Sequence, residues 1–303
     1  MASLLRDDAL EIVRGEHGIP HVTAKDDLAA ARGLGYCHAL DRGMQMLMMR
    51  VLGRGELSKY LDSSDASLAV DLFFRRMSWV AGADLEAAKL DAETRGLLDA
   101  YCAGVNARFG EKVPWELRVA GYKHTPWRVE DCIVIARMIS YVTLAQSQGD
   151  LERFIVEMIQ GGVTAPLLEE LFPGQLGGLD LDLVRRVVLG ERHVPKDLKW
   201  AGIGRATASN NWVVAGSRSA SGSPLLANDP HLEINRLPNV WYEVMVKVGE
   251  RWGYGATMPG IPGLLLGRTS DLAWGATYTF ADTVDSWIED CKDGTYRRGD
   301  AWL

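Results

Sequence analysis

The apolar pattern of this chain changes period once, and that change decides what it can fold into. From Asp26 onward apolar side chains recur at helical spacing as far as residue 172. After Ser209 they fall into short runs: Trp212–Ala215, Leu225–Asn228, Val240–Val248, Trp252–Thr257, Leu264–Leu266 and Leu272–Thr277. Gly, Pro, Asn or Asp punctuates the gaps, as between strands. Helices first and strands after predict an α+β layered fold.

Within the first half, residues 9–24 read as short strands around a Gly18-Ile19-Pro20 turn. Asp26 or Asp27 can cap the helix that follows, with Leu28, Ala31, Leu34 and Gly35 on one face. Met44, Leu47, Met48, Val51 and Leu52 continue the spacing to Leu61. The methionines at 44, 46, 48 and 49 could line an adaptable pocket, but core packing is the favoured role. Further helices are predicted over 81–109, 130–146 and 150–172, with an irregular connection over 112–127 around Pro114 and Pro126. Gly174 to Ala208 has no long periodic element and reads as a linker or removable spacer. The division is therefore 1–173, helical; 174–208, spacer; and 209–303, strand-rich. Residues 294–303 read as a turn entering a strand with nothing to pair with, so truncation at the C-terminus is expected.

Composition limits the partners. The net charge is -7, and no Lys/Arg block interrupts the acidic balance, which argues against a nucleic-acid or anionic-membrane surface. No apolar run approaches the ~20 residues that span a bilayer. The first residues lack a basic stretch followed by an apolar one, so the chain as encoded reads as cytoplasmic, or periplasmic if an upstream leader has been lost. Cys37, Cys102, Cys132 and Cys291 are scattered and read as buried thiols.

No GxSxG elbow, SxxK, HExxH, Walker A or GxGxxG occurs. The stretch Ala206-Thr207-Ala208-Ser209-Asn210-Asn211-Trp212 has two readings. As an internal segment it is a loop entering a strand. With the 208–209 bond cut, Ser209 becomes a chain start that carries a hydroxyl nucleophile and an α-amine base on one residue. An α-amine titrates near about 7.7–8.0, close to the useful range for a general base.

Three stretches stand out together: Arg14-Gly15-Glu16-His17-Gly18-Ile19-Pro20-His21-Val22 with Gly35-Tyr36, Ala39-Leu40-Asp41-Arg42, Gln45-Met46 and Arg50; Ser209 to Val214 with Leu225 to Leu232; and Trp274-Gly275-Ala276-Thr277 with Asp282-Thr283-Val284-Asp285. In this order they resemble the penicillin acylases, N-terminal nucleophile hydrolases that include acyl-homoserine-lactone acylases. The first resembles the start of the family's α subunit, the second the opening of its β subunit, and the third follows in the family's order.

The resemblance implies a four-layer αββα sandwich and self-cleavage between Ala208 and Ser209, giving α and β chains that stay together as a heterodimer. It implies that Ser209 is the nucleophile, that His231 orients or polarises it, and that the Tyr278 backbone N–H serves the oxyanion hole. Asp282, Val284 and Asp285 match the family's calcium-binding stretch, completed by Asp150 or, alternatively, Glu152. The ion would be structural, and no organic cofactor is implied. The expected substrate is a small-molecule N-acyl amide, either a β-lactam side-chain amide or an acyl-homoserine lactone. Met44, Met48, Phe73 and Phe74 are apolar candidates for the acyl pocket. The family's second oxyanion donor, an asparagine side chain, lies further downstream than Leu303. The rival reading is an uncleaved, inactive fragment serving as a structural or binding module.

Overall fold

The structure, a computed structural model, describes residues 3–141, 145–190, 208–232, 239–277 and 285–303. It contains helices and mixed sheets in two compact units, Met1–Thr143 with His193–Tyr278, and Leu144–Arg192 with Thr279–Leu303. These units cut across the three segments that the sequence pattern marks out.

In the first unit, strands β1 (Ser3–Arg6), β2 (Leu10–Arg14) and β3 (Pro20–Ala24) form a meander. The β2–β3 turn closes with Gly15 N–H donating to the Ile19 carbonyl at 2.9 Å, and Gly18 takes φ 77°, a conformation that glycine adopts without strain. Helix α1 (Asp27–Gly53) starts where the Asp26 carboxylate accepts from the Ala29 N–H, and its backbone departs from helical geometry at Arg42. Then come α2 (Leu57–Tyr60), α3 (Asp65–Met77), α4 (Trp79–Ala87), α5 (Ala92–Glu111), α6 (Trp115–Val119) and α7 (Val129–Ser140). The continuous helix expected over 81–109 is two, because Asp91 caps a new one by accepting from Thr94 N–H at 2.8 Å. Helix α3 has no counterpart in the sequence reading.

Of the face expected to be buried on α1, Leu34 and Gly35 are buried and Ala31 packs against the same core, whereas Leu28 is 51% exposed; Ala29, Ala30 and Gly33 are buried as well. Small residues carry this contact because α5 crosses at backbone distance. A Cβ on Gly35 would lie 2.1 Å from the Tyr101 carbonyl oxygen, and one on Gly104 would lie 1.9 Å from that of Arg32. The expected core role of the methionines holds for Met46 and Met49, which are buried, with Met44 and Met48 packed against the same core. Phe73 and Phe74 are also core residues.

Strands β6 (Tyr242–Val248), β7 (Arg251–Met258), β8 (Ile261–Thr269) and β9 (Ala273–Trp274) complete a seven-stranded sheet in the order β1-β2-β3-β6-β7-β8-β9. All neighbours are antiparallel except β3 and β6, which run parallel from His21↔Met245 to Ala24↔Val248. Helix α1 packs on this sheet, where a Cβ on Gly33 would strike Val22 at 2.6 Å. A separate two-stranded ladder joins β4 (Ala208–Val214) to β5 (Leu225–His231).

One buried polar chain ties α1 and α5 to the sheet. Thr257 Oγ1 donates its single proton to the Tyr242 carbonyl at 2.8 Å, so it accepts from His38 Nε2, also at 2.8 Å. His38 Nδ1 then accepts from the Tyr101 hydroxyl at 2.8 Å, whose oxygen accepts from the Gly260 N–H at 3.0 Å. Burial pushes the His38 imidazole down to about 3, which keeps it neutral.

In the second unit, α8 (Gln146–Gln160), α9 (Ala165–Leu171) and α10 (Leu181–Arg186) enclose Ile155, Ile159, Leu168 and Val184. The helix expected over 150–172 is interrupted at Gly161 and Gly162, the latter at φ 86°. Helix α10, inside the expected spacer, buries Val184. Strands β10 (Cys291–Lys292), β11 (Thr295–Arg298) and β12 (Ala301–Trp302) form a small sheet. The last strand does find a partner, contrary to expectation: Leu303 and Tyr296 exchange backbone hydrogen bonds of 2.9 and 3.1 Å. Cys37, Cys102 and Cys132 are buried, but Cys291 is exposed, because β10 lies at the edge of this sheet. Among the described residues, no helix is long and apolar enough to cross a membrane.

Candidate active site

The β4–β5 ladder sets the site. Its register places Ala208 opposite His231 and Ser209 opposite Pro230, so the imidazole is carried on the rung of the residue that precedes the serine. Proline cannot donate to a ladder, which leaves the Ser209 rung short of one cross-strand donor. His231 Nε2 lies 2.7 Å from Asp229 Oδ2. An ionised carboxylate only accepts, so Nε2 is the donor in this contact. Asn210 Nδ2 stands 3.5 Å from the same nitrogen, too far to compete.

Ser209 meets a residue that the sequence reading gave no role. Its Oγ is 2.9 Å from Thr277 Oγ1, and Thr277 Oγ1 donates to the Ser209 carbonyl at 3.0 Å. Thr277 lies on the stretch after β9, which Asn228 fixes in place. The Asn228 amide donates to the carbonyls of Asn210 at 2.8 Å and Ala276 at 2.9 Å, and accepts from the Ala276 N–H at 3.1 Å. A Cβ at Gly275 would sit 2.7 Å from the Asn228 side chain, so this approach needs glycine. Both Asn228 and Thr277 fall inside the recognised stretches. Their partners are remote in sequence, and no local pattern marks them.

The first recognised stretch works at a different place. Asp41 receives the Arg14 guanidinium and accepts from the Tyr242 hydroxyl at 2.5 Å. Arg42 donates to the carbonyls of Asn239 and Trp241. Together they pin the chain entering β6 against α1. Burial, then the neighbouring Cys37 and Asp41, raises the Tyr242 phenol, which stays protonated as a donor; burial also pushes the Cys37 thiol up to about 12. Arg50, 1% exposed, donates to the Thr125 carbonyl at 3.0 Å and the Tyr122 hydroxyl at 2.5 Å, and its guanidinium lies 5.3 Å from the Trp127 ring centroid. These residues hold the scaffold.

Tyr278, Asp282 and Val284 lie outside the described residues. Of the other expected metal ligands, Asp150, Glu152 and Asp285 belong to the second unit, where Glu152 accepts from the Ser286 hydroxyl. Among the described residues, no three His, Cys, Asp or Glu side chains gather as a metal site. A groove of about 580 Å³ in the helical part is lined by Phe74, Trp79, Val80 and Val134, with Arg54 and Arg128 among its charged residues.

The penicillin amidase family model matches residues 9–303. Acyl-homoserine lactone acylase QuiP of Pseudomonas aeruginosa is 27% identical over 295 residues, which cover 93% of this chain and 34% of that protein. Penicillin acylase 2 proenzyme of Pseudomonas sp. strain SE83 is 31% identical over 309 residues, covering 95% of this chain and 39% of that one. A thermostable penicillin G acylase structure from Alcaligenes faecalis matches 62% of this chain and 96% of its own, at 23% identity and a TM-score of 0.42. The chain thus spans about a third of the length of the curated relatives it matches.

Proposed function

The chain belongs to the penicillin amidase family, and from that membership we propose that it is the nucleophile-bearing part of an N-acyl amide hydrolase that cleaves itself before Ser209. The observation that carries the reading is the placing of Ser209 at the start of the β4–β5 ladder, with the Thr277 hydroxyl on its Oγ.

In self-cleavage Ser209 Oγ attacks the Ala208 carbonyl carbon. An Oγ–C bond forms, the Ala208 C–Ser209 N bond breaks, and the hydroxyl proton passes to the departing nitrogen. Water then hydrolyses the ester, leaving an Ala208 carboxylate, the Ser209 hydroxyl and a free α-amine. In turnover that amine takes the Oγ proton as the oxygen attacks a substrate amide. The leaving amine departs protonated, and water releases the acyl group as a carboxylic acid. The Tyr278 N–H is proposed as one oxyanion donor, a contribution typically worth about 3–4 kcal/mol. His231, held by Asp229, is proposed from the family resemblance to orient or polarise the amine–hydroxyl pair. The four-layer sandwich and the heterodimer of cleaved chains belong to the same proposal.

The substrate class follows the relatives' names: a β-lactam side-chain amide or an acyl-homoserine lactone. A structural Ca²⁺ is proposed on Asp150 or Glu152, Asp282, Asp285 and the Val284 carbonyl, an all-oxygen set suited to that ion. The Glu152–Ser286 hydrogen bond supports it by bringing the acidic turn of α8 beside Asp285. A rise in melting temperature with added Ca²⁺, lost in Asp285→Asn, tests it.

Mass spectrometry of the purified protein tests the main reading. Two pieces, one starting at Ser209 and abolished by Ser209→Ala, support it; an intact chain in both wild type and variant would sink it. Paired assays with a chromogenic phenylacetyl anilide and an acyl-homoserine lactone separate the substrate classes.

A further inference from the structure

We propose that Thr277 is a positioning residue for Ser209, holding its Oγ in one place both before and after the 208–209 bond is cut; this rests on Ser209 being the nucleophile.

The argument is a proton count. The Ser209 carbonyl can only accept, so the 3.0 Å contact from Thr277 Oγ1 uses the single threonine proton. The 2.9 Å contact between the two hydroxyls must then use the serine proton, with Ser209 Oγ donating to Thr277 Oγ1. One side chain therefore holds Ser209 at two points, its carbonyl and its Oγ, which fixes both backbone and χ1.

Neither point involves the Ser209 nitrogen or Ala208. Cutting the bond removes the covalent restraint on the N-terminal side of Ser209 and leaves both contacts standing. A chain terminus would otherwise be free to fray. When the Ser209 proton leaves, Thr277 still holds one of its own. It can turn from the carbonyl to the developing negative charge on Oγ, where a charge-assisted bond is stronger than a neutral one. A β-branched side chain suits the task because its χ1 is stiff. Its own anchor is the Ala276 peptide, clamped by Asn228.

The test uses Thr277→Val, which keeps the shape and removes the hydroxyl, and Thr277→Ser, which keeps the hydroxyl. Two rates are read: the appearance of the piece starting at Ser209, and turnover of the anilide by cleaved protein. Thr277→Val is expected to slow cleavage and kcat by about tenfold or more, with KM within about twofold. Thr277→Ser should restore most of both. Thr277→Ala replaces the valine variant if that variant fails to fold. Wild-type rates in Thr277→Val or Thr277→Ala, or equal damage from serine and valine, would overturn the proposal. A wild-type protein that neither cleaves nor turns over points instead at the reading of Ser209, and this inference falls with it.

Discussion

The side-chain amide of Asn228 pairs with the peptide group of Ala276 as a strand neighbour would, donating to its carbonyl at 2.9 Å and accepting from its N–H at 3.1 Å. Asn228→Asp keeps the acceptor and loses the donor. It is expected to lower stability by about 1 kcal/mol per lost hydrogen bond in a urea melt, and to slow the appearance of the Ser209 piece. Gly275→Ala should do the same from the other side, because its Cβ meets Asn228 at 2.7 Å.

Gly104→Ala and Gly35→Ala test the backbone contact between α1 and α5. Each new methyl would fall within 2.1 Å of a carbonyl oxygen that cannot rotate away. Helix propensity favours alanine by ~1 kcal/mol, but overpacking of this kind costs ~1–3 kcal/mol or more, so both should melt earlier.

His38 makes stability depend on pH with a definite sign. Its folded value is held down near 3, against about 6.5 for an unperturbed imidazole. Between those values the unfolded chain binds the proton and the folded chain does not, so stability is full above about pH 6.5 and falls as the pH drops. The expected slope is about 1.4 kcal/mol per pH unit between pH 6 and 4. His38→Gln should be less stable at pH 7 yet flatter over that window. Denaturant melts at a series of pH values would show it.

Asp131 faces two guanidinium groups, Arg50 at 3.5 Å and Arg54 at 2.6 Å, and both Asp131 and Arg50 are 1% exposed. Asp131→Ala strands the Arg50 charge without its carboxylate and should cost about 3–5 kcal/mol in a denaturant melt. Arg50→Lys should also destabilise, since an ammonium cannot span the Thr125 carbonyl, the Tyr122 hydroxyl and the Trp127 face together.

What could be read from the sequence followed from how local its cause was. Asp26 announces α1 because a capping carboxylate acts within three residues. The strand-rich second half was legible as short apolar runs between turn residues. Helix α3 escaped because Asp71 sits on its buried face, accepting from the Leu57 and Ser58 N–H groups at 2.7 and 2.8 Å, so the apolar stripe is broken where it should be continuous. The buried face of α1 was legible at Leu34 and Gly35 but not at Leu28, and the glycines that set the approach to α5 carry no apolar signal. Ser209 and His231 stood out through resemblance; the ladder puts them on adjacent rungs, whose side chains face opposite ways. Thr277 did not stand out, because its partner is 68 residues away and only the folded chain joins them.

The parallel pairing of β3 with β6 joins the first strands of the chain to a segment beyond Ser209. The Asp41–Tyr242 and Arg42–Trp241 hydrogen bonds cross the same divide. A cut at 208–209 would therefore change the number of polypeptides without separating them: the two pieces would be interleaved in one sheet, and neither could leave without breaking a ladder. Unfolding would then become the point of no easy return. An uncut chain would refold at a rate independent of dilution, whereas a cut protein would have to find its other half.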